Sequence, residues 1–301
     1  MNIIQKEGHF KTRDGRILFQ QSWKLAGKHR ASVVMVHGYG EHSSRYKWLA
    51  TSLAKAGFAV YSYDQMGHGK SEGLRAYIPN YRWMIDHLAD FLDQVPEPYS
   101  STFLVGQNMG GGLLMSYALE VDRKLPGLIL CGANLKPRRQ AGFFDRFLAR
   151  LRSILLPTFS GRGFAFDLEP AGLSRQSYTV SQYESDPFVF HGKMFNRTNW
   201  ELFCALDNLE NKWHKLEHPL LLLHGEADPI ADPTVPAQLQ EVVKSTVKTL
   251  ITYPNALHDL FNDADREKVL GDLVGWINQR LGQPPGKSRT SRMKYKKTGS
   301  R

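Results

Sequence analysis

The 301-residue sequence predicts a mostly parallel, doubly wound α/β sheet interrupted by one helical insertion after the sixth strand. Three observations carry that reading. Up to residue 134, short β-rich runs alternate with amphipathic stretches, the pattern of strands joined by crossover helices. Residues 135–216 break the rhythm, which resumes from residue 217. At Leu104-Val105-Gly106-Gln107-Asn108-Met109-Gly110-Gly111 an apolar run hands over to a helix, with glycines two places either side of Asn108.

In chain order, strands are expected at 3–10, 17–23, 32–36, 59–63, 102–105 and 128–131. Helices are expected at 46–56, 81–94 and 109–120, the last with Leu113, Leu114, Tyr117 and Ala118 at helical spacing. A strand at 220–224, a helix near 236–244, a strand at 249–253 and a helix at 265–281 close the domain. The organisation expected is a core of residues 1–134 and 217–282, a cap or lid of residues 135–216, and a disordered basic tail of residues 283–301. Inside the cap, residues 143–156 put Phe144, Phe147, Leu148, Leu151 and Leu155 on one helical stripe with Arg146, Arg150 and Arg152 beside it. Such a stripe either faces an acyl chain or membrane, or packs on the domain beneath.

The formal charge of +10 is concentrated at one end. Residues 283–301 hold seven basic side chains and no acid; without them 32 basic residues face 29 acidic ones, a net of +3. A basic tail is electrostatically sticky toward anionic lipid or nucleic acid, an anionic membrane surface being the more expected of the two, while a solubilising terminus with no dedicated partner is the plainer alternative. The two cysteines, Cys131 and Cys204, suggest no disulfide framework. No export signal opens the chain, and no apolar run approaches the ~20 residues of a membrane span. The expectation is a cytoplasmic protein, peripheral at a membrane if the tail binds one.

A strand followed by Gly-x-Ser-x-Gly and a helix is the nucleophile elbow of α/β-hydrolases, in which an acid and then a histidine follow later strands. Here Asn108 occupies the nucleophile position, Asp228 follows one later strand and His258 the last. The carboxylate would hold the imidazole in the tautomer that leaves Nε2 free to take a proton. Between the third strand and the next helix, His37-Gly38-Tyr39-Gly40 supplies the small residues of an oxyanion loop. The backbone N–H groups of Tyr39 and Met109 are the expected donors, and His37, Gly38 and Gly40 the residues lining the ligand. His37 and His42 with His224 hint at a metal, but no carboxylate or cysteine spacing supports one. Ser71 is read as capping or satisfying its own loop, because a serine without strand-to-helix presentation lacks both the base and the oxyanion donors.

These residues sit in longer motifs: His37-Gly-Tyr-Gly-Glu-His42, Ser44-Arg-Tyr46, Asp64-Gln-Met-Gly-His-Gly-Lys-Ser-Glu-Gly73, Leu173-Ser-Arg175, Ser185-Asp-Pro187 and Gly225-Glu-Ala-Asp228. Through them the chain resembles the monoacylglycerol lipase and lysophospholipase group of serine hydrolases, from about residue 8 to 281. The resemblance implies an α/β-hydrolase fold, a cap lining an acyl tunnel, His68 as a buttress of the site rather than its base, and hydrolysis of single-chain acyl esters with neither metal nor organic cofactor. Where that group has Gly-His-Ser-Met-Gly, this chain has Gly106-Gln107-Asn108-Met109-Gly110. Two adjacent changes point to a natural variant rather than a single engineered knock-out.

Asparagine cannot be deprotonated by imidazole, and losing a triad nucleophile costs about 10⁶ in turnover. It does tolerate the left-handed backbone of an elbow. Three readings follow: a catalytically silent relative that binds an acyl lipid or small ester; a hydrolase in which Asp228 and His258 activate water, or Asn108 deamidates to an aspartate nucleophile like that of dehalogenases and epoxide hydrolases; or a membrane or nucleic-acid adaptor acting through the tail.

Overall fold

The computed structural model describes residues 2–121, 124–138, 140–160 and 169–282. The basic tail therefore lies outside the described residues. Eight strands form one sheet: β1 (Ile3–Lys11), β2 (Ile17–Leu25), β3 (Ser32–Val36), β4 (Ala59–Tyr63), β5 (Thr102–Gln107), β6 (Leu128–Cys131), β7 (Leu220–Gly225) and β8 (Lys248–Tyr253). Their order is β1-β2-β4-β3-β5-β6-β7-β8. The hairpin β1–β2 and the β2–β4 pair are antiparallel, and every other pair is parallel. The helices are α1 (Lys47–Lys55), α2 (Tyr81–Leu92), α3 (Met109–Glu120), α4 (Phe143–Leu155), α5 (Ser177–Ser185), α6 (Asn196–Glu210), α7 (Val235–Val242) and α8 (Arg266–Leu281).

The central strands β3 to β7 are buried along their whole length, as apolar runs covered on both faces must be. Alternate residues serve opposite layers. Val34, Val36, Leu104 and Leu222 join α2, α3 and α7 in one core. Val33, Met35, Val105 and Leu221 meet α1 and α8 in the other. Helix α3 is buried on nearly every side, from Met109 to Ala118, which explains its apolar composition all round.

Between β6 and β7 stands the insertion with α4, α5 and α6. Helix α6 is anchored: Leu202, Leu206 and Leu209 enter the first core. Helix α4 rides on α6 with most of its apolar stripe turned to solvent, Leu148 being half-buried. Arg146, its side chain still 43% exposed, reaches across to α6, where it pairs with both carboxylate oxygens of Asp207 at 3.0 and 2.9 Å and lies over the Phe203 ring. Phe143, Phe144, Phe147, Leu151, Ile154 and Leu155 face solvent, Phe144 at 68% exposure. Of the two readings of this stripe, packing on the domain beneath is not what the structure shows. Among the described residues no helix is long and apolar enough to cross a membrane.

Candidate active site

Parallel pairing sets the site. Val36 is in register with Gly106, Gln107 with Cys131, Cys131 with Leu223, and Gly225 with Tyr253, so the loops after β3, β5, β7 and β8 emerge at one edge of the sheet. At the end of β5 the chain reverses through Asn108, at φ 52° and ψ −119°, directly into α3. The glycines of the elbow are steric necessities. A Cβ on Gly106 would lie 2.7 Å from the backbone of Gly110, and one on Gly110 would lie 2.3 Å from the carbonyl oxygen of Val36.

The structure brings Asn108, Asp228 and His258 into one chain of contacts. His258 Nδ1 lies 2.8 Å from Asp228 Oδ2, and His258 Nε2 lies 2.7 Å from the Asn108 amide nitrogen. With Nδ1–H donating to the carboxylate, Nε2 carries a lone pair and accepts from the amide. The other end of the carboxamide turns toward the loop after β3, where Tyr39 N–H points at Asn108 Oδ1 from 3.5 Å. The side chain thus sits in the orientation of a substrate amide, its oxygen toward a backbone donor and its nitrogen against the imidazole. No hydroxyl among the described residues makes a recorded hydrogen bond to that imidazole.

Asp228 is fully used. Its Oδ1 accepts the N–H groups of Ile230 and Ala231 at 2.8 and 3.0 Å, and its Oδ2 also meets His224 Nε2 at 3.2 Å. Burial works to raise its pKa, but the charges and hydrogen bonds of His258 and His224 outweigh it and hold the carboxyl well below the usual carboxylate range. Burial likewise works to lower the pKa of His258, and the facing Asp228 carboxylate more than reverses that, so the imidazole is raised above the ordinary histidine value.

Expected ligand residues divide. Tyr39, Asn108 and His258 line the small cavity at this point, together with Gln107, Glu41, Arg45, Leu173, Tyr183 and Asp259. His37 does not turn to it. Its Nδ1 donates to Gly38 O at 2.7 Å and its Nε2 accepts Gln65 N–H at 2.9 Å, which makes it a brace of the loop. Gly38 and Gly40 contribute backbone: Gly38 N–H donates to Glu41, a Cβ there would meet Asn108 Cβ at 2.8 Å, and Gly40 O accepts from Phe190 N–H. Met109 opens α3 beside the cavity but is not in its lining. His68 is buried against His37, and burial brings its pKa down to about 3, so it is neutral and no proton carrier at neutral pH. Ser71 donates to Asp64 O and accepts Phe19 N–H, inside its own loop. His224 supports Asp228, His42 pairs with Asp186 at 2.9 Å, and no group of three metal-ligating side chains converges among the described residues.

A buried ionic cluster escaped the sequence reading. Arg45 bridges Glu41 at 3.1 Å and Asp259 at 3.2 Å, and Glu41 Oε1 also accepts from Tyr46 OH at 2.6 Å. Burial raises the pKa of the Asp259 carboxyl, an effect that Arg45 opposes and Glu41 reinforces. All four lie in or beside motifs visible in the sequence, yet a charged residue next to a histidine gives no sign of facing inward until the loops converge.

The insertion closes the site. Gly172 O and Leu173 O accept the N–H groups of His258 and Asp259, and Tyr183 and Leu173 form cavity walls. What remains at Asn108 is a cavity of about 10 Å³, where an open acyl pocket was expected. The carboxamide itself fills the space between the imidazole and the Tyr39 donor. A separate cavity of about 310 Å³ lies between the loops after β6 and β7, with Asn134, Lys136, Asp232 and Val235 in its walls.

Comparison with known proteins agrees with this fold. The pattern of the serine aminopeptidase S33 family matches residues 27–265. Human monoglyceride lipase is 30% identical over 277 residues, covering 90% of each chain. The monoacylglycerol lipase of Mycolicibacterium smegmatis is 28% identical over 257 residues, 84% of this chain and 89% of that one. Among solved structures, the monoacylglycerol lipase of Paleococcus ferrophilus superposes with a TM-score of 0.74 at 28% identity, covering 93% of this chain and all of that chain.

Proposed function

Because the chain belongs to the serine aminopeptidase S33 family as a monoglyceride-lipase-like α/β-hydrolase, we propose that it is a catalytically impaired member that binds a single-chain acyl lipid at the inherited site. One observation carries the proposal: the atom that meets His258 Nε2 is an amide nitrogen, at 2.7 Å. The imidazole and Asp228 are assembled for proton transfer, but the group they face has no proton that imidazole can remove and no nucleophilic lone pair.

The relatives' names, monoglyceride and monoacylglycerol lipase, support an acyl ester as the ligand class. Access for such a ligand requires the insertion to lift from the loop after β3, which means breaking the Phe190–Gly40 backbone bond and the His42–Asp186 pair. The exposed apolar face of α4, with Arg150 and Arg152 also exposed on that helix, supports a peripheral position on an anionic membrane, to which the basic tail would add.

The test is hydrolysis of a short-chain ester. Wild-type turnover at the level of a His258→Ala control is expected; turnover far above that control overturns the proposal.

A further inference from the structure

A hydrolase of this kind cleaves a carbonyl compound whose oxygen faces backbone N–H donors and whose leaving atom faces the imidazole. The compound that meets those requirements here is part of the chain. Asn108 Oδ1 lies toward Tyr39 N–H, Asn108 Nδ2 lies 2.7 Å from His258 Nε2, and Asp228 backs the imidazole at 2.8 Å. Beside the carboxamide is the cavity of about 10 Å³, the lower limit of room for a single water molecule. Gln107 lines the same cavity, and its buried Oε1 has no hydrogen-bond partner among the described residues, leaving an acceptor for a water hydrogen.

We propose that Asn108 is a self-processing site: His258 and a water molecule hydrolyse the side-chain amide and convert residue 108 to aspartate. The amide first gives up its hydrogen bond to Nε2 as Cγ begins to pyramidalise; the water oxygen adds to Cγ while one of its protons passes to the freed Nε2 of His258, and the electron pair of the carbonyl moves onto Oδ1 in front of Tyr39 N–H. Nε2–H then returns the proton to Nδ2, the Cγ–Nδ2 bond breaks, and ammonia leaves. One water is consumed and one ammonia released, so no oxidant, metal or second substrate enters the balance. Neutral imidazole is the working form, which the amide-to-Nε2 hydrogen bond already requires. The product places a carboxylate nucleophile at the elbow, opposite the same acid–histidine pair.

The inference goes beyond the proposed function, and the two fail separately: an Asn108 that never changes leaves lipid binding standing, while ester turnover by freshly made, unconverted protein overturns only the earlier proposal.

The full chain, purified and held at neutral pH for several weeks in water enriched in oxygen-18, is followed by intact mass and by peptide mapping across residue 108. Expected is replacement of the amide NH₂ by one labelled oxygen, giving ordinary α-aspartate, with a rate that falls as pH drops through the raised His258 pKa. In His258→Ala the conversion is expected to slow by roughly 10² or more, the usual size of a general acid–base contribution. Wild-type chain unfolded in urea serves as the second reference and is expected to convert as slowly, so the comparison holds even if His258→Ala misfolds. No conversion at Asn108, isoaspartate as the product, which would mark attack by the Met109 backbone nitrogen, or equal rates in folded and unfolded chain overturns the inference.

Discussion

Asn108 and His258, 150 residues apart in sequence, meet through a 2.7 Å hydrogen bond in which the amide donates and the imidazole accepts. That single contact holds the side chain across the space a substrate carbonyl would need. It converts a proton-transfer pair into a brace, and its removal is the first experiment to make.

Asn108→Ser restores a hydroxyl to the elbow and vacates the position in front of Tyr39 N–H. Turnover of a short-chain ester is expected to rise roughly 10³-fold or more, part of the 10⁶ that a missing triad nucleophile costs. A variant that folds and stays at background would mean that the remaining geometry is not competent.

Gly110→Ala tests the packing of the elbow. A helical Gly→Ala change ordinarily gains about 1 kcal/mol. Here the new Cβ would lie 2.3 Å from Val36 O and 2.6 Å from His37 O, backbone atoms that cannot swing aside. Overpacking against rigid neighbours costs about 1–3 kcal/mol, so a net loss of stability is expected in urea denaturation. A gain would contradict the close approach.

Arg45→Met removes the cation from a site in which Glu41 and Asp259 are both buried. Leaving carboxylates unpaired costs about 3–5 kcal/mol. The destabilisation should shrink on lowering the pH, because the raised Asp259 carboxyl takes up a proton first. Equal loss at all pH values would show that packing rather than charge holds Arg45.

Asp228→Asn should bring the His258 pKa down, since burial, the largest influence on it, is then opposed only by the charges of Asp259 and Glu41. A folded-state pKa raised above the unfolded one contributes stability in full below the unfolded pKa and loses it as pH rises through the folded value. In the variant that contribution shrinks, which NMR titration of His258 and unfolding at pH 5 to 8 would reveal together.

Phe144→Asp with Phe147→Asp should leave the stability of the fold within about 0.5 kcal/mol, as expected for exposed positions. Sedimentation with anionic vesicles should fall in the same variant. A large loss of stability would mean that this face packs in solution after all.

Much of this arrangement was legible from residue order. Strand and helix periodicity located every strand and most helix ends to within a few residues, because the central strands are covered on both faces and carry unbroken apolar runs. The positions of Asn108, Asp228 and His258 at strand ends followed from the same reading, since a parallel sheet must deliver its loops to one edge. The orientation of α4 was not legible: a helical stripe says which side chains share a face, whereas the neighbour that face meets depends on how α6 docks. Nor did the sequence reveal that Glu41, Arg45 and Asp259 form a buried cluster, or that the cavity at Asn108 shrinks to about 10 Å³. Local pattern determined the elements, the elbow and the loss of the hydroxyl, because these depend on residue type and spacing. The tertiary structure alone decided that the carboxamide spans imidazole and backbone donor, because that contact depends on where three loops, far apart in the chain, are held relative to one another.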